Sequence, residues 1–319
     1  MIKKILILDK NHPFIIYKLK KKGFICDENY NDSANQINLS LYDGIILRNR
    51  LKINKEFIEK AINLKFIARI GSGTENIDKN YAIKKGITLI SSPEGNKDAV
   101  AEHAIGMLLC IMNNIIRSHQ QIVTGKWSRE INRGIEIMGK TIGIIGYGNT
   151  GKAFAKKLSG FNPKIICYDI LPRVGDFYAK QVNMSTIFKK SDVISLHVPY
   201  TKKTKGMINY NFIKKFNKPF YLINTSRGGC LVTSHLVEAL KNGKINGACL
   251  DVLEYEDFFF KNIDLNQNFR KIFFYLIHSN KVIFTPHIAG WTKESKSKMD
   301  NKIVEKIIFL SQKLNKIKL

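Results

Sequence analysis

Thr141-Ile-Gly-Ile-Ile-Gly-Tyr-Gly-Asn-Thr-Gly-Lys-Ala-Phe-Ala155 decides the fold. Its opening residues form a short apolar run, the pattern of a strand buried on both faces. Its closing residues place Ala153, Phe154 and Ala155, with Leu158 beyond them, along one side of an amphipathic helix. Between the two lies Gly146-x-Gly148-x-x-Gly151, and strand, glycine turn and helix in that order are the context in which this spacing binds a dinucleotide. One glycine permits the tight turn, the next lets backbone approach a pyrophosphate, and the third lets the helix pack on the strand. The helix start, with Asn149 and Thr150, then turns its amides toward the anion. The next strand candidate, residues 164–168, ends in Asp169, 23 residues after Gly146. A carboxylate there accepts both ribose hydroxyls of NAD and repels the 2′-phosphate of NADP, although Arg173 nearby keeps NADP open.

Working outward, strand candidates at residues 141–145, 164–168, 193–198, 220–224, 248–252 and 282–285 alternate with helices at 151–158 and 234–242. The first ninety residues repeat the scheme, with apolar runs at 5–8, 44–47, 66–70 and 87–90 between helical stretches at 12–22, 54–61 and 78–85. Short buried strands alternating with helices mean parallel sheets, so the fold class is α/β. Residues 98–117 are apolar on almost every side of a helix, which predicts burial between domains or subunits. Residues 257–280, with Phe258 to Phe260 and Phe273 to Tyr275, fit neither period and read as an irregular surface insertion; a last helix spans 292–314.

At 319 residues the chain has length for two domains. Its formal charge is +26, from 52 basic and 26 acidic residues, which raises the question of a polyanionic partner. The lysines are scattered singly, in pairs and at most in threes (Lys20 to Lys22), with no basic and aromatic stripe, and this argues against nucleic acid as the main partner. Five cysteines, Cys26, Cys110, Cys167, Cys230 and Cys249, lie far apart without a C-x-x-C pair, so neither a metal site nor a disulfide framework is expected, and a reducing cytoplasmic setting fits. The four apolar residues 5–8 are too few for a signal-peptide core, and the apolar stretch 104–112 is about half a membrane span. No membrane partner is expected.

Three more segments close later strands: Asn224-Thr-Ser-Arg227-Gly-Gly229, Leu250-Asp251-Val-Leu-Glu-Tyr-Glu256 and Thr285-Pro-His287-Ile-Ala-Gly290. Ligands bind at the carboxyl ends of strands in such sheets, so an Arg, a Glu and a His there can converge. With these motifs the sequence resembles the D-isomer-specific 2-hydroxyacid dehydrogenases over nearly its whole length. Further matching segments are Leu47-Arg-Asn-Arg50, Arg69-Ile-Gly-Ser-Gly-Thr-Glu-Asn-Ile-Asp78, Asn96 with Val100-Ala-Glu-His103, Gly125-Lys-Trp127 and Ser191-Asp-Val-Ile-Ser-Leu-His-Val-Pro199. Within the family it looks closest to short phosphoglycerate dehydrogenases without a regulatory domain.

The resemblance implies two Rossmann-like parallel-sheet domains, the NAD-binding one (residues 96–290) inserted into a substrate-binding one (1–95 plus 291–319). It implies a catalytic set of Arg227, which clamps the substrate carboxylate, His287 as acid and base, and Glu256 as its partner; Glu254 is an alternative to Glu256. NAD would meet Gly146, Gly148, Asn149, Thr150, Gly151, Asp169, His197, Val198, Pro199, Thr225, Ser226, Asp251 and Gly290. Substrate would meet Arg48, Arg50, Ser72, Gly73 and Asn96 besides Arg227 and His287, with no metal. Arg48 and Arg50 would suit the phosphate of D-3-phosphoglycerate, the first step of serine biosynthesis. Hydroxypyruvate or glyoxylate reduction is the alternative, an NAD-binding co-repressor a further one. A homodimer is expected, with the helix from Asp98 as a contact.

Overall fold

The computed structural model describes residues 2–10, 13–256 and 267–316. The chain divides into two compact units, Met1–Asn96 with Thr292–Leu319, and Lys97–Trp291.

The first unit carries β1 (Lys4–Ile7), α1 (Pro13–Lys21), β2 (Ile25–Glu28), β3 (Gly44–Leu47), α2 (Lys55–Lys60), β4 (Phe66–Arg69), α3 (Lys79–Lys84) and β5 (Thr88–Ser91). The strands form a parallel sheet in the order β2-β1-β3-β4-β5. Alternate residues feed opposite faces, as the two-residue period of a strand requires. Ile5, Ile7 and Ile46 join one apolar cluster, and Leu6, Ile45 and Leu47 join the other. The first cluster is completed by Met299, Ile303, Val304 and Ile307 of the C-terminal helix, Lys293–Lys316. Each such buried aliphatic side chain contributes about 1.5–3 kcal/mol relative to exposure, which is why a helix studded with lysines still docks here. Gly95 lies against the backbone of Met299, where a β-carbon would collide, and Lys306 reaches both the Ser91 carbonyl and Glu94. Asn54 and Asp78 cap α2 and α3 through their side chains.

The second unit begins with α4 (Lys97–Met112) and α5 (Ile115–Val123), followed by β6 (Thr141–Ile145), α6 (Asn149–Leu158), β7 (Lys164–Tyr168) and β8 (Lys180–Gln181). It continues through α7 (Met184–Lys190), β9 (Val193–Leu196), α8 (Tyr210–Lys214), β10 (Phe220–Asn224), α9 (Thr233–Lys241), β11 (Ile245–Leu250), α10 (Gln267–Ile277) and β12 (Val282–Phe284). The sheet is parallel, in the order β12-β11-β10-β9-β6-β7-β8. Strand order reverses between β6 and β9, the switch point where open α/β sheets bind ligands.

Three expectations are corrected. The helix expected over 98–117 breaks at Asn113 and Asn114, the latter at φ 53°, a left-handed conformation asparagine tolerates. Its first part, α4, is apolar all round because it is buried in its own unit, with Ala101, Ala104, Met107 and Leu108 in one cluster with Ile142, Ile144 and Phe154. The apolar face left exposed belongs to α5. The region 257–280 is not irregular throughout: residues 267–277 form α10, and Leu276 is buried beside Leu236 and Leu240 of α9, while residues 257–266 lie outside the described residues. Finally, β2 escapes a reading by apolar runs because it is an edge strand with Asp27 and Glu28 in its four residues. Among the described residues no single helix is long and apolar enough to cross a membrane.

Candidate active site

The glycine loop follows β6 at the switch point. Gly146 has φ 91°, and a β-carbon there would strike the carbonyl of His197 after β9; one on Gly151 would strike the carbonyl of Gly146. A β-carbon on Gly148 would meet nothing within 4 Å. Two glycines are therefore fixed by packing, and the third keeps the start of α6 bare, with no side chain capping its amides. Asp169 accepts the Tyr147 amide at 2.6 Å and the Leu171 amide at 2.9 Å, tying the loop to the end of β7. Buried Tyr147 donates its hydroxyl to Asp176 at 2.7 Å.

His197 Nε2 lies 2.8 Å from Ser195 Oγ and Nδ1 lies 3.2 Å from Thr150 Oγ1, on α6. Desolvation pushes its pKa down to about 3, so this imidazole is neutral. Val198 and Pro199 continue the segment, Val198 packed at the edge of the core. At the end of β10, Thr225 Oγ1 is buried with no partner among the described residues. A bare helix start, a carboxylate at the next strand end and an orphaned buried hydroxyl fit a dinucleotide.

The sequence Asn224-Thr-Ser-Arg227 makes a tight turn after β10. Asn224 Oδ1 accepts from the Ser226 amide and hydroxyl, and Asn224 Nδ2 donates to the Arg227 carbonyl at 3.1 Å. Arg227 Nη1 donates to the Ser226 carbonyl at 2.6 Å. A β-carbon on Gly228 would strike the Leu253 carbonyl, so only glycine lets this turn lie against the 253–256 segment. There the two glutamates divide. Glu254 accepts the Thr233 amide at 2.7 Å, capping α9 where Val232 offers no side-chain acceptor. Glu256 Oε2 stands 3.3 Å from His287 Nδ1. The carboxylate raises the His287 pKa above its ordinary value, mainly through that hydrogen bond.

His287 follows β12 in a left-handed conformation, φ 56°, which costs about 1–2 kcal/mol for a residue with a β-carbon. Asp251, named above among the NAD contacts, is buried and turns its carboxylate to this loop. Gly290 closes the loop.

In the first unit, Arg48 follows β3, its amide donating to Asp9 at 2.7 Å. Arg50 is tied to backbone. Its Nε, Nη1 and Nη2 donate to the carbonyls of Leu8, Asp32 and Asn29 at 2.6, 2.7 and 2.8 Å, so the guanidinium ties the chain after β1 to the chain after β2. Arg69, passed over as a site residue in the sequence, ends β4 beside β3 and donates to Asn49 at 2.7 Å. Its signal was its register opposite Leu47, which only the paired sheet reveals. Ser72 Oγ donates to Asn96 Oδ1 at 2.9 Å, so the oxygen of the Asn96 amide is engaged and its nitrogen is a donor. Gly73 beside it is buried.

Residues 105–289 match the family described as D-isomer specific 2-hydroxyacid dehydrogenase, NAD binding domain. The chain belongs to that family. A hydroxypyruvate reductase of Thermotoga maritima is 37% identical over 83% of this chain and 83% of its own length. A D-3-phosphoglycerate dehydrogenase of Archaeoglobus fulgidus is 35% identical over 86% of this chain, which spans 50% of that relative's length. The structure of a D-lactate dehydrogenase from Aquifex aeolicus, complexed with NAD and lactic acid, superposes with a TM-score of 0.83 at 29% identity, covering 99% of this chain and 98% of that one. This 2-hydroxyacid dehydrogenase is accordingly an NAD-dependent oxidoreductase, and the second unit holds its NAD-binding domain.

Proposed function

We propose that the enzyme interconverts a D-2-hydroxyacid and its 2-oxoacid, with D-3-phosphoglycerate as substrate. The observation that carries the chemistry is the 3.3 Å pair of His287 Nδ1, after β12, and Glu256, after β11, with Arg227 following β10, the next strand of the sheet. Bound NAD supplies the two-electron acceptor. Arg227 holds the substrate carboxylate through its planar fork, which aligns the C2 carbon. His287 exchanges the C2 hydroxyl proton at Nε2, because Nδ1 faces Glu256. Glu256 fixes that tautomer and favours the imidazolium. Gly146, Gly148, Asn149, Thr150, Gly151, Asp169, His197, Val198, Pro199, Thr225, Ser226, Asp251 and Gly290 form the NAD site; Ser72, Gly73 and Asn96 offer donors to the substrate carboxylate.

Replacing Glu256 by Gln is expected to shift the pH profile of 2-oxoacid reduction. Reduction needs protonated His287, so activity falls as pH rises through its pKa; loss of the carboxylate lowers that pKa, and the fall comes at lower pH. A limb that does not move removes Glu256 from this role.

For the substrate, Arg48 and Arg69 end adjacent strands and supply positive charge suited to a phosphate. Arg48→Ala is expected to lower kcat/KM for D-3-phosphoglycerate by about tenfold or more, the worth of one charge-assisted contact, and to leave an unphosphorylated acid unaffected. The commitment of Arg50 to loop carbonyls favours the second reading, reduction of hydroxypyruvate or glyoxylate. Absence of activity on D-3-phosphoglycerate with robust turnover of those acids would replace the first reading by the second.

We further propose a homodimer formed through α5 and the segment after it. Ile115, Ile116, Ile122, Val123 and Ile131 are exposed there, and Trp127 is 80% exposed. So much apolar surface in one stretch marks an interaction face. Light scattering on an Ile122→Asp, Trp127→Ala variant should give a monomer where the wild type gives a dimer; a monomeric wild type would dismiss the interface.

A further inference from the structure

Three consecutive backbone N–H groups of the His287 loop end on a single residue. The His287 amide donates to the Asp251 carbonyl at 2.8 Å, that of Ile288 to Oδ1 at 2.8 Å and that of Ala289 to Oδ2 at 2.9 Å. Asp251 is only 1% exposed, so its carboxylate needs these donors. Thr285 Oγ1, two residues before His287, lies 2.6 Å from Asp251 Oδ1. A carboxylate only accepts, so the threonine proton is used there. His103 Nε2, on α4, lies 2.9 Å from the same Thr285 oxygen and 3.6 Å from Asp251 Oδ1. With its one proton committed, Thr285 Oγ1 can only accept, so His103 must carry its proton on Nε2 and donate it. Met107, one helical turn further along α4, sets its sulfur 3.8 Å from that oxygen.

The side-chain bonds therefore run from His103 to Thr285 to Asp251, whose carboxylate also accepts the Ile288 and Ala289 amides of the backbone that holds His287 in its left-handed conformation. Donors in series polarise one another, so losing His103 weakens the Thr285 bond that fixes the Asp251 carboxylate beneath the loop amides. The helix at the far end is a firm anchor, since Ala101, Ala104, Met107 and Leu108 of α4 sit in the core of the unit. We propose that His103 and Thr285 are positioning residues that fasten the His287 loop to α4 and so aim the imidazole for proton exchange. This rests on the reading of His287 as the acid and base.

His103→Phe removes the donor while keeping a ring, and His103→Gln restores an N–H at similar reach. In the Phe variant kcat should fall about tenfold, as a misaimed catalytic group entails, with a larger primary isotope effect from deuterated NADH. The NADH dissociation constant, read by fluorescence, should stay within about twofold, and the Gln variant should recover most of the turnover. In a His287→Ala background the Phe change should cost nothing further, because there is no imidazole left to aim. Should His103→Phe not fold, Thr285→Val carries the same test. Wild-type turnover in a folded variant, equal losses in Phe and Gln, or an undiminished tenfold loss in the His287→Ala background would overturn the proposal. A fully active His287→Ala enzyme would instead overturn the role of His287, so the two failures are distinct.

Discussion

His287→Ala is expected to lower turnover by about 10²- to 10⁴-fold, the range over which a positioned acid or base accelerates proton transfer. NADH binding should survive, because Asp169 and the glycine loop, where the helix start stays bare, are untouched. One alternative cause of lost activity must be separated. His287 has φ 56°, and replacing it could let the loop relax. Asparagine adopts the left-handed region more readily than other residues with a β-carbon, so His287→Asn keeps the backbone and removes the proton exchange. If chemistry is what His287 supplies, both variants fall alike. Near-normal turnover of a folded His287→Asn enzyme would show that the backbone matters and the imidazole does not.

Arg227→Lys should also be damaging, although charge is conserved. The guanidinium offers a planar pair of donors that matches a carboxylate, and an ammonium group holds only one oxygen at a time. One lost charge-assisted hydrogen bond is worth about 1.5–3 kcal/mol, a fall of roughly 10- to 150-fold in kcat/KM. The turn itself should persist, since Asn224 holds it through Ser226 and the Arg227 carbonyl, not through the guanidinium. A lysine variant with wild-type kcat/KM would leave the carboxylate to other donors.

Much of this was legible in the sequence, and the exceptions have physical causes. The glycine loop could be read because its spacing sits between a period that fits a buried strand and one that fits a helix, and because Asp169 follows at the end of the next strand. Both sheets were legible from their apolar runs, whereas the edge strands were not: β2 has two acidic residues in four, and β8 is only Lys180–Gln181. The choice between Glu254 and Glu256 needed three dimensions: one is drawn to the uncapped start of α9, the other to His287. The partners of Arg50 were hidden too, because a sequence shows its charge and not the three carbonyls that the chain after β1 and after β2 brings to it. Likewise Ile115 and Ile116 continue the apolar pattern of α4 into the start of α5, and only packing shows that α4 is buried in its own unit while α5 presents its apolar face outward.

The central claim is that this chain moves a hydrogen between the nicotinamide and C2 of a 2-oxoacid to give the D-isomer. The direct measurement is incubation with NADH deuterated at C4, followed by mass spectrometry and chiral analysis of the product from phosphohydroxypyruvate, hydroxypyruvate and glyoxylate. For at least one of these, deuterium should be found on C2, and for the first two the product should be the D-enantiomer. NADH that binds but delivers no deuterium to any of them, or delivery to give the L-enantiomer, would contradict the account.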